Sequence, residues 1–207
     1  TLFNLLVGEL EPTAGAVLLN GENVTKVGVE ARARMGLARS YQKNNLFDEL
    51  TVRENLTLAV ATATGRSAWF RKDTLKDVEI NRIIVDVAAQ VALSDHLDLA
   101  VESAPYGVRR QLEVGLALAT DPSVLLMDEP TSGVGPEMIK AFHTLLKTLP
   151  ESLTVLIIEH DMDLALDVAD RVTVLNYGEV VFEGTPDETR SSPLVEEIYL
   201  GGWDSHA

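Results

Sequence analysis

The run Val124-Leu125-Leu126-Met127-Asp128-Glu129-Pro130 constrains this chain more than any other stretch. A continuous apolar segment of that length reads as a strand buried on both faces, as in a parallel sheet covered by helices. Pro130 has no N–H for a sheet ladder, so the strand should end at the acidic pair. In open α/β sheets ligands bind at the carboxyl ends of strands, which is where Asp128 and Glu129 would lie. Side chains alternate along a strand, so the two carboxylates should point to opposite sides and have different tasks. One suits a magnesium ion, held directly or through water; the other suits polarising an attacking water. Taken alone, the same stretch favours a plainer reading, a strand ending in a solvated acidic turn.

The remaining chain alternates strands and helices in the manner of an α/β protein. Thr1–Gly8 has helical apolar spacing and stops at a glycine, like the tail of a helix already under way. Ala16–Asn20 reads as a short strand, Val29–Met35 as a short basic helix, and Leu37–Tyr41 as a strand delivering Gln42 to a loop. Thr51 and Glu54 form a capping-box pattern opening a helix to about Ala63. Residues 65–74 read as a loop carrying Trp69 and Phe70, and Asp77–Val91 is helical with Ile80, Ile83, Ile84, Val87 and Val91 on one face. A further helix spans Gly107–Thr120, and another runs from Pro136 to about Leu149. Leu153–Ile158 reads as a second buried strand, ending in Glu159-His160. Asp161–Ala169 is helical, Val172–Leu175 and Glu179–Phe182 form a hairpin around Tyr177-Gly178, and two short helices follow. Residues 52–118 are helical throughout and interrupt the alternation, so they read as a helical subdomain inserted between 1–51 and 119–207.

Composition narrows the function. With 207 residues and 46% hydrophobic content the chain can bury a good core as one domain. It has no cysteine, hence no disulfide and no thiolate metal site or nucleophile. A net charge of −15 opposes non-specific nucleic-acid binding, which needs a basic surface to displace counterions. No apolar run approaches transmembrane length, so a role at a membrane would come through a partner.

Four stretches stand in a telling order: Gln42 after a strand, the helix opening at Gly107, the Asp128-Glu129 strand end, and the Glu159-His160 strand end. In this the chain resembles the nucleotide-binding subunits of ABC transporters over essentially its whole length. Ala38–Gln42 is similar to that family's Q-loop, Leu125–Pro130 to its Walker B strand, Thr131–Pro136 to its D-loop, and His160 to its switch histidine. The resemblance implies a P-loop NTPase-like, mostly parallel sheet with an inserted helical subdomain, ATP and Mg²⁺ as ligands, and hydrolysis that depends on positioning and charge neutralisation. It implies Asp128 and Gln42 as metal holders and Glu129, His160 and Gln42 as the catalytic set. Thr1, Tyr106, Gly107 and Arg109 would meet the nucleotide. Transmembrane permease subunits, a second identical or related ATPase, an indirect solute-binding protein and a place on the cytoplasmic face of the plasma membrane follow as partners and location.

Finer features point to one branch. Leu46-Phe47, Thr51-Val-Arg-Glu-Asn55, Tyr106-Gly107, Ile158–Met162, Glu183-Gly184-Thr185-Pro186 and Tyr199-Leu200-Gly201 resemble the ATPases of branched-chain amino acid importers. The lipopolysaccharide-export ATPases are the near alternative. Two departures favour a third possibility, a degenerate non-catalytic domain. Nothing matches G-x-x-x-x-G-K-[ST], the loop that cradles phosphates, and Thr1-Leu2 resembles the residues that follow it, so the sequence is expected to begin one residue after that motif. The other is the signature Leu-Ser-Gly-Gly-Gln, which stands here as Ala104-Pro105-Tyr106-Gly107-Val108. Separately, Gly135 stands where the D-loop usually has aspartate, which bears on communication between two sites. A soluble ATPase of DNA repair or translation is disfavoured, because paired domains, long coiled insertions and basic surfaces are lacking.

Overall fold

The computed structural model describes residues 1–40, 46–65, 77–133 and 135–201. It divides into two compact units, Thr1–Ile158 and Glu159–Ala207. In the first, the strands β3 (Leu37–Ser40), β4 (Val124–Asp128) and β5 (Thr154–Ile158) form a parallel sheet in that order. Before them come helix α1 (Leu2–Val7), the antiparallel pair β1 (Leu18–Leu19) and β2 (Glu22–Asn23), and helix α2 (Val29–Arg34).

β4 is covered on both sides, as its apolar run predicts. Leu125 and Met127 belong to the larger core, with Val52, Leu56, Ile84, Val87 and Leu112 among its members. Leu126 points to the opposite side and packs with Phe3, Val7, Val24 and Leu37. By the same alternation Asp128 falls on the Leu126 side, next to α1. β5 departs from expectation. Its side chains are partly or fully exposed, Leu156 among them, because among the described residues β5 pairs only with β4 and is an edge.

The named elements described within 52–118 are all helices, joined by turns and short connections. Helix α3 (Val52–Ala63) opens on the expected capping box, with the Thr51 side chain accepting from the Glu54 N–H and the Glu54 carboxylate accepting from the Thr51 N–H. Helix α4 (Val78–Gln90) is capped by Asp77, and helix α5 (Tyr106–Leu118) follows. Ile80, Ile84, Val87 and Val91 are buried as the periodicity predicts, and Ile83 packs against the same core. That core also contains Leu125, Met127 and, from helix α6 (Pro136–Thr148), Phe142 and Leu145. The helices of 52–118 share one core with the sheet, and the division into compact units falls after Ile158. The aromatic stretch Trp69-Phe70 lies outside the described residues.

Helix α2 is basic, but one of its cations faces inward. Arg32 is fully buried and donates to the carbonyls of Leu5, Leu6, Thr25 and Val27 at 2.6–3.0 Å. It thereby satisfies the last carbonyls of α1, where a cation also meets the favourable end of the helix dipole. Gly8 ends α1 at φ 87°, and an added Cβ would stand 3.0 Å from the Arg32 guanidinium.

The second unit holds α7 (Met162–Val168), the antiparallel hairpin β6 (Val172–Asn176) and β7 (Glu179–Gly184), α8 (Pro186–Arg190) and α9 (Pro193–Gly201). Tyr177 and Gly178 both take positive φ, the demand of a tight two-residue hairpin turn. Thr185 and Glu188 form another capping box, and hydrogen bonds from the Thr185 N–H and hydroxyl hold the Glu188 carboxyl below its usual range. Among the described residues no helix is long and apolar enough to cross a membrane.

Candidate functional site

The acidic pair ends β4, but not by simple alternation. Asp128 is the last strand residue; Glu129 lies beyond it with φ 44°, in the left-handed region. Non-glycine residues rarely hold that conformation, and where they do, surrounding contacts enforce it. Here the Glu129 N–H donates to the Ile158 carbonyl at 2.8 Å, and its carbonyl accepts from the Arg110 guanidinium at 3.3 Å and the Ser132 N–H at 3.1 Å. The expectation of opposed side chains on one strand is thus replaced by a break in the strand between the two acids. Pro130 supplies the stop, and its carbonyl accepts from Arg110 at 3.0 Å.

Asp128 is held through its side chain. Arg39 of β3 donates to its Oδ2 at 3.2 Å, and the same guanidinium reaches Asn4 Oδ1 at 2.8 Å and Glu9 at 3.7 Å. It also lies 5.6 Å from the centroid of the Phe3 ring, within cation–π range. Arg39 is thus a site residue that sequence reading missed, although it sits inside the Ala38–Gln42 stretch. The signal was a cation placed two positions beyond an apolar residue on a strand parallel to β4, with Arg39 in register with Leu126. The Glu129 carboxylate, by contrast, takes no hydrogen bond among the described residues.

Two carboxylates at one strand end are hard oxygen donors, the chemistry Mg²⁺ selects, and that ion commonly uses only one or two protein carboxylates beside substrate phosphates. The residues present therefore fit it. Among the described residues no cluster of three or more metal-ligating side chains occurs, which is consistent with so sparse a donor set.

Tyr106 and Gly107 open α5. Pro105 provides no side-chain cap, so the first N–H groups of the helix have no partner within it. The Tyr106 hydroxyl donates to the Ser132 carbonyl at 3.3 Å, which brings the signature region against the turn after Glu129. Arg109 was expected to meet the nucleotide. Its guanidinium is instead directed at Asp48, at 2.7 Å, and at the Val101 carbonyl, at 2.9 Å. An i,i+1 pair diverges by about 100° around a helix, so Arg109 and Arg110 serve different neighbours.

Gln42 lies outside the described residues. Thr1 is the N-cap position of α1, without a side-chain cap bond. His160 is exposed; its N–H donates to Glu159 Oε2 at 3.2 Å, and its Nδ1 lies 3.9 Å from the same oxygen. Phe47 is likewise exposed, yet its backbone is fixed: buried Asn55 accepts from its N–H at 3.0 Å and donates to its carbonyl at 3.1 Å.

Comparisons with known proteins bear on this geometry. A family model described as ABC transporter matches residues 1–132. The chain is 34% identical to the high-affinity branched-chain amino acid transport ATP-binding protein LivG of Escherichia coli K12, over 97% of this chain and 82% of that protein. It is 28% identical to the lipopolysaccharide export system ATP-binding protein LptB of Acidithiobacillus ferridurans, over 97% and 80% of the two chains. Among solved structures, an ATP-binding cassette of an ABC transporter in its ADP conformation superposes with a TM-score of 0.80 at 27% identity, covering 97% of this chain and 82% of that one.

Proposed function

Since this chain belongs to the ABC transporter family, we propose that it is the ATP-hydrolysing subunit of an importer and powers uptake of a small solute, branched-chain or other amino acids. The observation that carries the proposal is the contrast at the end of β4. Asp128 is anchored by Arg39, whereas Glu129 has a fixed backbone and a carboxylate with no hydrogen bond among the described residues. A base must stand ready to take a proton and must not be tied up by a neighbour. Glu129 meets that requirement.

In this reading Asp128, with Gln42, would hold Mg²⁺, which when bound would supply positive charge to the phosphate oxygens. Glu129 accepts the proton of the water that attacks the γ-phosphorus. His160 is the donor to the γ-phosphate. Tyr106 and Gly107 present the uncapped N-terminus of α5 to the nucleotide on a second copy or related subunit, where the helix dipole favours an anion. Arg109 enters as a tether between α5 and the Asp48 loop and not as a phosphate ligand. Phe47, exposed on that loop, faces the permease subunits at the cytoplasmic side of the membrane, and a solute-binding protein delivers the cargo. The higher identity to the branched-chain amino acid transport protein supports that branch over lipopolysaccharide export.

A second reading, a non-catalytic domain, is favoured by one observation: the signature stands as Ala104-Pro105-Tyr106-Gly107-Val108, without its usual serine and glutamine. Mg-ATP hydrolysis separates the two. It is measured on this chain and on the product of the complete coding sequence, each beside Glu129→Gln. Hydrolysis by the complete product that falls about 10²–10⁴-fold in Glu129→Gln, with nucleotide still bound, is the expected result. Absence of nucleotide binding by either form would leave only the non-catalytic domain.

A further inference from the structure

One face of α5 is bonded to the turn that carries Glu129. Tyr106 and Arg110 are four residues apart and therefore share that face. Between them they donate to three successive landmarks of the turn: the Glu129 and Pro130 carbonyls from Arg110, and the Ser132 carbonyl from Tyr106. Arg110 is buried, and its third contact is the Glu113 carboxylate, at 2.5 Å, which neutralises the charge in place. Packing around this arginine is incomplete. A cavity of about 460 Å³, lined by Arg110, Val114, Pro130, Ala141, Phe142 and Leu145, opens beside it. Directional hydrogen bonds, more than close packing on that side, therefore determine where the turn sits.

We propose that Arg110 is a positioning residue for hydrolysis: it clasps the Glu129-Pro130 turn and so fixes the Glu129 carboxylate according to where α5 stands. The inference rests on the proposed function, in which Glu129 is the base. The physical case lies in the left-handed conformation of Glu129. That conformation is disfavoured for glutamate and must be imposed from outside. The Ile158 carbonyl holds the N–H side of the residue, and Arg110 holds the carbonyl side. Relaxing either would swing the carboxylate, and a displacement of about 1 Å in a reacting geometry can cost about a hundredfold in rate. Because α5 also presents the helix start expected to meet a nucleotide on a second copy, the clasp makes the base sensitive to that meeting. A guanidinium is needed. Its planar fork reaches two carbonyls and a carboxylate together, and a lysine ammonium, a single point, does not reproduce that pattern.

The test uses the product of the complete coding sequence with two replacements, Arg110→Lys, which keeps the charge, and Glu113→Gln, which keeps the shape. The first measurement is amide exchange. Glu129 and Ser132 amides should exchange at least tenfold faster in Arg110→Lys, with the amides of β4 unchanged; unchanged exchange at both positions would remove the clasp, whatever the activity. The second is hydrolysis per bound nucleotide, with binding stoichiometry determined on the same sample. Arg110→Lys should lower that ratio about ten- to a hundredfold, and Glu113→Gln by a few-fold, at unaltered stoichiometry. A purely structural role would lower stoichiometry and total rate together and leave the ratio within twofold, which overturns positioning. If the unmodified protein binds Mg-ATP but hydrolyses none, the proposed function falls and positioning falls with it, while the clasp is judged on exchange alone.

Discussion

The last residue of β4 and the turn directly after it are neighbours in sequence and are held in opposite ways. Asp128 keeps strand geometry and is fixed by its side chain, through Arg39. Glu129 leaves strand geometry and is fixed by its backbone, through Ile158 and Arg110, and its carboxylate takes no hydrogen bond among the described residues. The same device recurs at Phe47, whose N–H and carbonyl are both bound by the Asn55 amide while the ring stays exposed. Fixing the main chain and offering the side chain suits a group that must act on something outside the molecule. Fixing the side chain suits one that must not move.

The sharpest way to break this contrast is to put glycine at each acid. Glu129→Gly removes the base and should lower hydrolysis about 10²–10⁴-fold. Yet it should leave the fold within about 1 kcal/mol of the parent, because relief of the left-handed conformation offsets the extra chain entropy of glycine. Asp128→Gly has no such relief: it places glycine in a strand and strips Arg39 of a partner, and should cost about 2 kcal/mol. Urea unfolding of the two variants decides it. A larger stability loss at position 129 than at 128 would mean that the Glu129 side chain, and not its backbone, anchors the turn.

Replacing Asn55 by alanine tests the device at its second occurrence. The Phe47 N–H would lose its partner, and the Phe47 and Thr51 carbonyls would each keep only a backbone donor, the Leu50 and residue-55 N–H, at about 2 kcal/mol in urea unfolding. Arg39→Met should cost somewhat less, about 1–2 kcal/mol, because Asp128 is partly reached by water. In the same variant the Glu129 and Ser132 amides should exchange as in the parent, since the described bonds of Arg39 go to Asn4, Glu9 and Asp128. Faster exchange there would show that the two holdings are coupled and not separate.

What could be read in advance follows the range of each interaction. β4 declared itself through an unbroken apolar run, and the capping box of α3 through Thr51 and Glu54, because each depends on near neighbours. The acidic pair at the strand end was legible for the same reason. The exposure of β5 was not, since an apolar pentapeptide looks alike at an edge and in the middle of a sheet. Arg32, Arg39 and Arg110 were equally hidden. Each is a cation with a defining partner far along the chain, at Leu5, Asp128 and Pro130 respectively, and its local sequence does not reveal that partner. Arg109 shows the converse: its place at a helix start suggests an anion, and nothing local signals the bond to a loop carboxylate 61 positions away.

The smallest expected effect is the most discriminating for Phe47. Its ring is exposed and its backbone is held by another residue, so Phe47→Ala should change stability by no more than about 0.5 kcal/mol. If the ring serves only to cover the loop, nothing else should change either. If it is offered to a membrane subunit, as proposed, Phe47→Ala should weaken assembly with the permease several-fold and leave ATP hydrolysis by the isolated protein unaltered. Asn55→Ala should weaken assembly too, because it releases the loop that presents the ring, but only at the stability cost given above. Assembly measured by co-purification from detergent thus separates presentation from contact: loss in both variants marks a held ring that touches a partner, and loss in Asn55→Ala alone would move the contact to some other residue of the loop.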